Sequence, residues 1–282
     1  MTVPSADPAT PSPAISLRGA SLGFGARELW SGLDLDVAAG EFLAVLGPNG
    51  AGKTSLLKVL LGLVPLSSGS VEVSGVTPHR GSNLVGYIPQ QRGFDTDLGA
   101  RGRDLVALGA NGHRYGWPWS GRDVRARIHA AIASVGASGY ADSPIGQLSG
   151  GEQQRLRVAQ ALLGDPRVLL CDEPLLSLDL AHQRGVVELL DARRRDAGTA
   201  VVFVTHEINP VLPIADRVLY LVGGRWAVGT PGEVMTTECL SDLYGTQVDV
   251  LRVRGRLVVV GSADAVTTEL SEDDHLHAHE HA

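Results

Sequence analysis

The chain has 282 residues, 44% of them hydrophobic and 20% charged, which suits a substantial buried core and excludes an intrinsically unfolded chain. A formal net charge of −7 argues against a nucleic-acid partner, because holding many phosphates needs a basic surface. The two cysteines, Cys171 and Cys239, give neither a disulfide framework nor a paired metal-ligand spacing, and no stretch has the roughly 18 uninterrupted apolar residues of a membrane helix.

Met1 to Pro13 is rich in Pro, Ser, Ala and Thr and has no basic start followed by an apolar run, so residues 1–14 are expected to be a flexible leader and not a secretory signal. Short apolar or alternating runs at Ile15–Leu22, Leu33–Val37 and Phe42–Leu46, separated by glycine-containing turns, predict strands. The third runs into a glycine-rich loop and then a helical stretch from Lys53 to Leu61. A further strand is expected at Val85–Ile88. Helical patterns follow at Arg101–Leu108 and Arg122–Val135, the latter with Val124, Ile128, Ile132 and Val135 on one face, so residues 91–160 are expected to be a helical insert.

The α/β alternation then resumes. Val168–Cys171 and Ala200–Val204 are fully apolar runs, as buried parallel strands require. They flank a helix over Ala181–Asp196 whose arginine-rich last turn suits the helix dipole. Arg217–Val222 and Arg225–Gly229 predict a hairpin around Gly223-Gly224, and Val250–Gly261 a second one turning near Gly255.

Two motifs carry the chemistry. GPNGAGKT, spanning Gly47, Pro48, Asn49, Gly50, Ala51, Gly52, Lys53 and Thr54, has the full spacing of a phosphate-binding loop. Its glycines let backbone N–H groups curl around phosphates, the helix that follows adds partial positive charge, Lys53 is placed to reach the β- and γ-phosphates, and Thr54 to hold Mg²⁺. LSGGEQQ, Leu148 to Gln154, places Ser149, Gly150 and Gly151 at a second helix N-terminus, again an anion site.

Together these motifs resemble the ABC ATPases, and the resemblance extends over Ile15 to Gly232. It implies a nucleotide-sandwich dimer in which the signature of one chain faces the γ-phosphate held by the other. In VLLCDEP, Val168 to Pro174, it assigns Asp172 to the Mg²⁺ site and Glu173 to the general base. It makes His206 the switch histidine, Gln90 or Gln91 the Mg²⁺-sensing glutamine, and Ser177-Leu178-Asp179 a loop by which subunits touch. Phe24, 23 residues before Gly47, becomes the aromatic that stacks on adenine. Two positions depart from the family pattern. Gln160 stands where an arginine is common, and Cys171 where an aliphatic residue is usual.

The implied fold is α/β, a P-loop NTPase core of the RecA-like type with an antiparallel β subdomain and a helical subdomain. The ATPase domain would span residues 15–232, followed by a helix-and-hairpin extension at 233–270 and a histidine-rich tail at 271–282. The implied cofactors are ATP and Mg²⁺. The implied partners are an integral-membrane permease, a second copy of the chain and an extracytoplasmic solute-binding protein, with the chain held peripherally at the cytoplasmic face of the membrane. Gly86–Asp95, Arg114–Trp117 and the C-terminal LYGTQVDVLRVRGRLVVVG are similar to the zinc/manganese/iron importer subfamily, which implies a divalent-metal cargo. A siderophore or other small-solute transporter and a non-transport ABC protein are the alternatives. A single phosphate loop, and no long coiled-coil or zinc insertion, count against the last. The tail carries His275, His277, His279 and His281 beside Asp273, Asp274 and Glu280, a donor set for divalent ions or a plain solvated end.

Overall fold

The computed structural model describes residues 12–25, 27–90, 93, 95, 98–111, 122–176 and 178–261. Gln91, Ser177, the Arg114–Trp117 stretch with Trp119, the histidine-bearing tail and the leader up to Pro11 lie outside these residues. The strands are β1 (Ile15–Phe24), β2 (Arg27–Val37), β3 (Phe42–Leu46), β4 (Ser68–Val73), β5 (Val85–Ile88), β6 (Val168–Asp172), β7 (Ala200–Val204), β8 (Arg217–Val222), β9 (Arg225–Gly229), β10 (Val248–Val253) and β11 (Arg256–Gly261). The helices are α1 (Lys53–Leu60), α2 (Gly102–Asn111), α3 (Arg122–Ser134), α4 (Gly150–Leu162), α5 (Leu180–Ala197), α6 (Pro231–Val234) and α7 (Thr237–Tyr244).

The apolar runs FLAVL, VLLCD and AVVFV are buried at every position, because β3, β6 and β7 sit inside a six-stranded sheet of order β5-β6-β7-β3-β8-β9. Its first five strands pair in parallel, and β9 returns antiparallel at the edge. Alternation along each strand feeds two cores. Phe42, Ala44, Cys171, Val201 and Phe203 face the helices α2 to α5, while Leu43, Val45, Leu170, Val202 and Val204 face α1 and the β1–β2 sheet. The Phe42 and Phe203 rings meet tilted, 5.5 Å between centroids. Since β6, β7 and β3 are parallel neighbours, the loops leaving their C-terminal ends converge on one edge.

The second sheet is antiparallel, in the order β2-β1-β4. β4 was not anticipated from the sequence, because SGSVEV opens with residues of low strand propensity and is mostly exposed. Tertiary pairing supplies what propensity does not: Val73, Glu72, Val71 and Ser70 align with Ile15, Ser16, Leu17 and Arg18 of β1. Close approach explains the glycine there, since a Cβ on Gly69 would lie 2.4 Å from the Gly19 carbonyl oxygen. β2 begins at Arg27, six residues before the expected Leu33, as pairing with β1 carries an irregular ladder through to Phe24.

After β9 come α6 and α7, then the β10–β11 hairpin, a separate two-stranded sheet. Its two turn residues, Arg254 and Gly255, both have positive φ, the geometry that matches strand twist in a two-residue loop. One hairpin face is packed on the main core through Val248 and Leu257. Asn209 fixes it further: its Nδ2 donates to the Leu257 carbonyl at 2.9 Å, and its Oδ1 accepts from the Leu257 N–H at 2.8 Å.

Candidate functional site

The turn between β3 and α1 is the phosphate loop. Gly47 has φ 139°, and a Cβ there would lie 2.0 Å from the Leu221 carbonyl oxygen, so neither the backbone conformation nor the space admits a side chain. Gly52, with φ 96°, caps α1 without a side-chain bond, and α1 has no acidic residue in its first turn. Among the described residues, no hydrogen bond engages the backbone N–H groups of Gly50, Gly52, Lys53 or Thr54. The result is an open cradle of donors at the positive end of a helix. Pro48 and Asn49 form its outer rim and, with Gly47 and His206, line a cavity of about 540 Å³. Ala51 is buried beneath the loop. Arg27, which the sequence did not single out, holds the rim through a 3.1 Å bond from its guanidinium to the Gly50 carbonyl.

Lys53 is buried at 6% exposure and its ammonium donates to the Gly47 and Pro48 carbonyls at 2.6 and 2.9 Å, so its charge is already folded into the loop. Burial lowers its pKa from the usual lysine value, and the nearby Glu173 and Asp172 carboxylates oppose that shift.

Across the sheet edge, Thr54 Oγ1 donates to Asp172 Oδ1 at 3.1 Å, although 118 residues separate them. Asp172 is only 4% exposed, and burial raises its pKa above the usual carboxylate range against the pull of the Thr54 bond. Tyr87 of β5 is a site residue that the sequence reading missed, since strand alternation gave no sign of which sheet edge it would face. Its hydroxyl lies 3.4 Å from Asp172 Oδ2, and burial, with the carboxylate beside it, pushes the phenol up to about 12. Thr54 and Asp172 offer hard oxygens next to the open cradle. Among the described residues no group of three His, Cys, Asp or Glu is placed to hold a metal ion by itself. That combination fits Mg²⁺, which binds through one or two protein oxygens together with substrate phosphates, and not an all-protein metal cage.

Glu173 follows directly. Its φ is +45°, rare for a residue with a side chain, and its N–H donates to the Val204 carbonyl at 3.0 Å, which holds that conformation. The carboxylate Oε2 lies 3.4 Å from His206 Nδ1 and 3.5 Å from Gln90 Nε2. The structure thus brings Lys53, Thr54, Asp172, Glu173, His206 and Gln90 to one edge. Phe24, at the end of β1, is 54% exposed with its ring open to solvent.

The signature is built differently. Ser149 caps α4 in a full capping box with Glu152: Ser149 Oγ accepts from the Glu152 N–H, while Glu152 Oε2 accepts from the Ser149 N–H and hydroxyl, both at 2.8 Å. Each hydrogen bond of the Ser149 side chain therefore stays within its own turn. Gly150 opens the helix, and Gly151 is required by packing, since a Cβ there would lie 2.3 Å from the His182 ring. His182 is fixed by Asp179, the N-cap of α5, with Nδ1 to Oδ2 at 2.7 Å.

Comparison with known proteins matches this arrangement. Residues 30–176 match the family model described as ABC transporter. The zinc import ATP-binding protein ZnuC of Roseobacter denitrificans is 35% identical over 233 residues, covering 82% of this chain and 84% of that protein. The hemin import ATP-binding protein HmuV of Streptomyces coelicolor is 37% identical over 254 residues, covering 86% and 88%. A chain of an ABC transporter described as metal-chelate type, in an inward-facing conformation, superposes with a TM-score of 0.74 at 27% identity, covering 88% of this chain and 96% of that one. With an open phosphate loop facing a strand-end carboxylate pair and these matches over most of its length, the chain belongs to the ABC transporter family as an ATP-binding subunit that hydrolyses ATP.

Proposed function

We propose that the chain hydrolyses Mg-ATP in a two-fold dimer and passes the resulting motion to a separate membrane permease that imports a divalent metal ion. The observation that carries the catalytic part is the meeting of Lys53, the Thr54–Asp172 pair and the Glu173–His206 pair at adjoining strand ends. In this reading the loop N–H groups and Lys53 bind the β- and γ-phosphates, and Phe24 stacks on the adenine. Thr54, Asp172 and Gln90 hold Mg²⁺, which when bound neutralises charge on the transferring phosphoryl group. Glu173 orients the attacking water and accepts its proton, with His206 and Gln90 fixing the carboxylate on either side. Ser149, Gly150 and Gly151 close over the γ-phosphate bound by the second copy, so neither chain has a complete site alone.

The test is Glu173→Gln. It should retain ATP binding and lose turnover by about 10²–10⁴-fold, the range typical of a positioned base. With ATP it should sediment as a dimer, and without nucleotide as a monomer. Near-normal hydrolysis would remove Glu173 from the base role, and a monomer at all ATP concentrations would remove the composite site.

Import of a divalent metal is supported by the resemblance of Gly86–Asp95 and of the C-terminal segment to metal importers, and by the zinc-import relative. The hemin-import relative is equally similar, which makes a metal chelate the second reading. No described helix is long and apolar enough to cross a membrane, consistent with a peripheral subunit that reaches the cytoplasmic face through its permease. A solute-binding protein would deliver cargo on the other side. Metal-limited growth of a deletion strain separates the two readings: rescue by zinc or manganese alone supports the ion, and rescue by hemin alone supports the chelate.

A further inference from the structure

The β10–β11 hairpin has a second face left half-exposed by the described residues. Strand alternation and the register Asp249↔Val260, Leu251↔Val258 and Val253↔Arg256 put six residues on it. Leu251, Val253, Val258 and Val260 are 50%, 53%, 42% and 45% exposed, while Val248 and Leu257 on the opposite face are buried. Such a cluster of exposed aliphatic side chains marks a contact surface. The charges at its edge are arranged with a symmetry of their own. Asp249 occupies one corner and Arg256 the diagonally opposite one, and neither has an ion-pair partner among the described residues.

We infer that this face docks on the same face of a second copy, as an accessory contact in the ATP-bound dimer; the inference rests on the composite-site reading given above. A two-fold axis lying in the plane of the contact, perpendicular to the Asp249–Arg256 diagonal, lays each copy's Asp249 over the other's Arg256 and keeps Leu251 and Val258 at the centre. The strands then cross at roughly 40°, near the aligned way for sheets to pack, and the contact is isologous, as a closed dimer requires. Four half-exposed aliphatic side chains offer on the order of 300 Å² per copy, well below the ~800 Å² of a stable interface, so this contact adds to the nucleotide-dependent one and does not replace it.

The position gives the contact a consequence. Asn209, three residues past His206, is clamped to Leu257 beside Val258, so a partner seated on the hairpin also fixes the segment that carries the switch histidine. Gly255 and Arg256 at the hairpin turn also share a cavity of about 300 Å³ with Leu180, at the start of α5, and with Glu207.

The experiment measures the dimer dissociation constant of the full chain carrying Glu173→Gln, with Mg-ATP, by sedimentation. Adding Leu251→Ser and Val260→Ser should raise it tenfold or more, leave monomer affinity for a fluorescent ATP analogue unchanged and leave the melting temperature within a few degrees. Asp249→Arg and Arg256→Asp should each weaken the dimer, and the two combined should restore it. If the Glu173→Gln chain with an intact hairpin never dimerises, the composite-site reading has failed. If it dimerises and both the serine pair and the single charge reversals leave the constant unchanged, only the hairpin contact is overturned. An unchanged constant with altered hydrolysis only in the permease complex would assign the face to the permease and likewise overturn the inference.

Discussion

The phosphate loop and the signature turn are both glycine-bearing helix N-termini, yet one is left open and the other closed on itself. Gly52 caps α1 with backbone only, and the first turn carries no acid. Ser149 caps α4 in a reciprocal box, and Glu152 sets a carboxylate where an anion would approach. A helix end whose N–H groups lack partners is ready for phosphate, because a ligand there replaces water alone. One already satisfied by its own carboxylate must exchange hydrogen bonds and accept like-charge repulsion before it takes a phosphate. In the proposed dimer, this difference would let a single chain hold nucleotide at the loop, while the signature would need a partner that brings the γ-phosphate with it.

Four substitutions break or sharpen that contrast. Lys53→Ala should weaken ATP binding to the monomer about 100-fold, since charge-assisted bonds to phosphate are worth ~1.5–3 kcal/mol. Ser149→Ala should leave monomer binding unchanged and weaken only the ATP-bound dimer. Titration of a fluorescent ATP analogue into each monomer measures both, and equal losses would show that the two ends do the same job.

Asp172→Asn probes the open side from within. Burial raises the Asp172 pKa above the ordinary aspartate value, so the folded chain binds that proton more tightly than the unfolded chain does. Stability of the nucleotide-free protein should therefore fall as pH rises from that value to the raised one, and remain lower above it. Asp172→Asn removes this loss, so it should melt a few degrees higher near neutral pH while Mg²⁺-dependent ATP binding weakens. Thermal melts at a series of pH values, with and without Mg²⁺, measure it. A lower melting temperature for the variant at neutral pH would count against buried-charge strain at the site.

Glu152→Gln has the smallest expected effect. It keeps the capping geometry and removes the negative charge, so helix stability should change by less than about 1 kcal/mol. The ATP-bound dimer should tighten by a few-fold, as repulsion from the approaching γ-phosphate is relieved. Weaker dimerisation would mean that the carboxylate is needed to present Ser149.

Much of the sheet was legible because its strands are short, apolar and punctuated by glycine: Phe42–Leu46, Val85–Ile88, Ala200–Val204 and both strands of the Gly223-Gly224 hairpin lie where the pattern put them. β4 was not legible, because its serines and glycine are held in the sheet by β1 and not by their own propensity. Within the site, motif spacing pointed to Lys53 and Thr54, and the family resemblance to Asp172 and Glu173, which the fold gathers at one edge. It could not show that Tyr87 would face Asp172, that Arg27 would reach the Gly50 carbonyl, or that Asn209 would clamp Leu257.

By itself the sequence determined the chemistry available, since a glycine-rich loop, a lysine and a strand-end carboxylate pair are local patterns that backbone geometry turns into local structure. Only the tertiary structure decided which groups meet. The parallel order β6-β7-β3 closes the 118-residue gap between Thr54 and Asp172, and the Val204 carbonyl holds Glu173 at a positive φ that no neighbouring residue would enforce. Contacts between segments far apart in the chain depend on strand order and packing, which the spacing of residues along one segment does not encode.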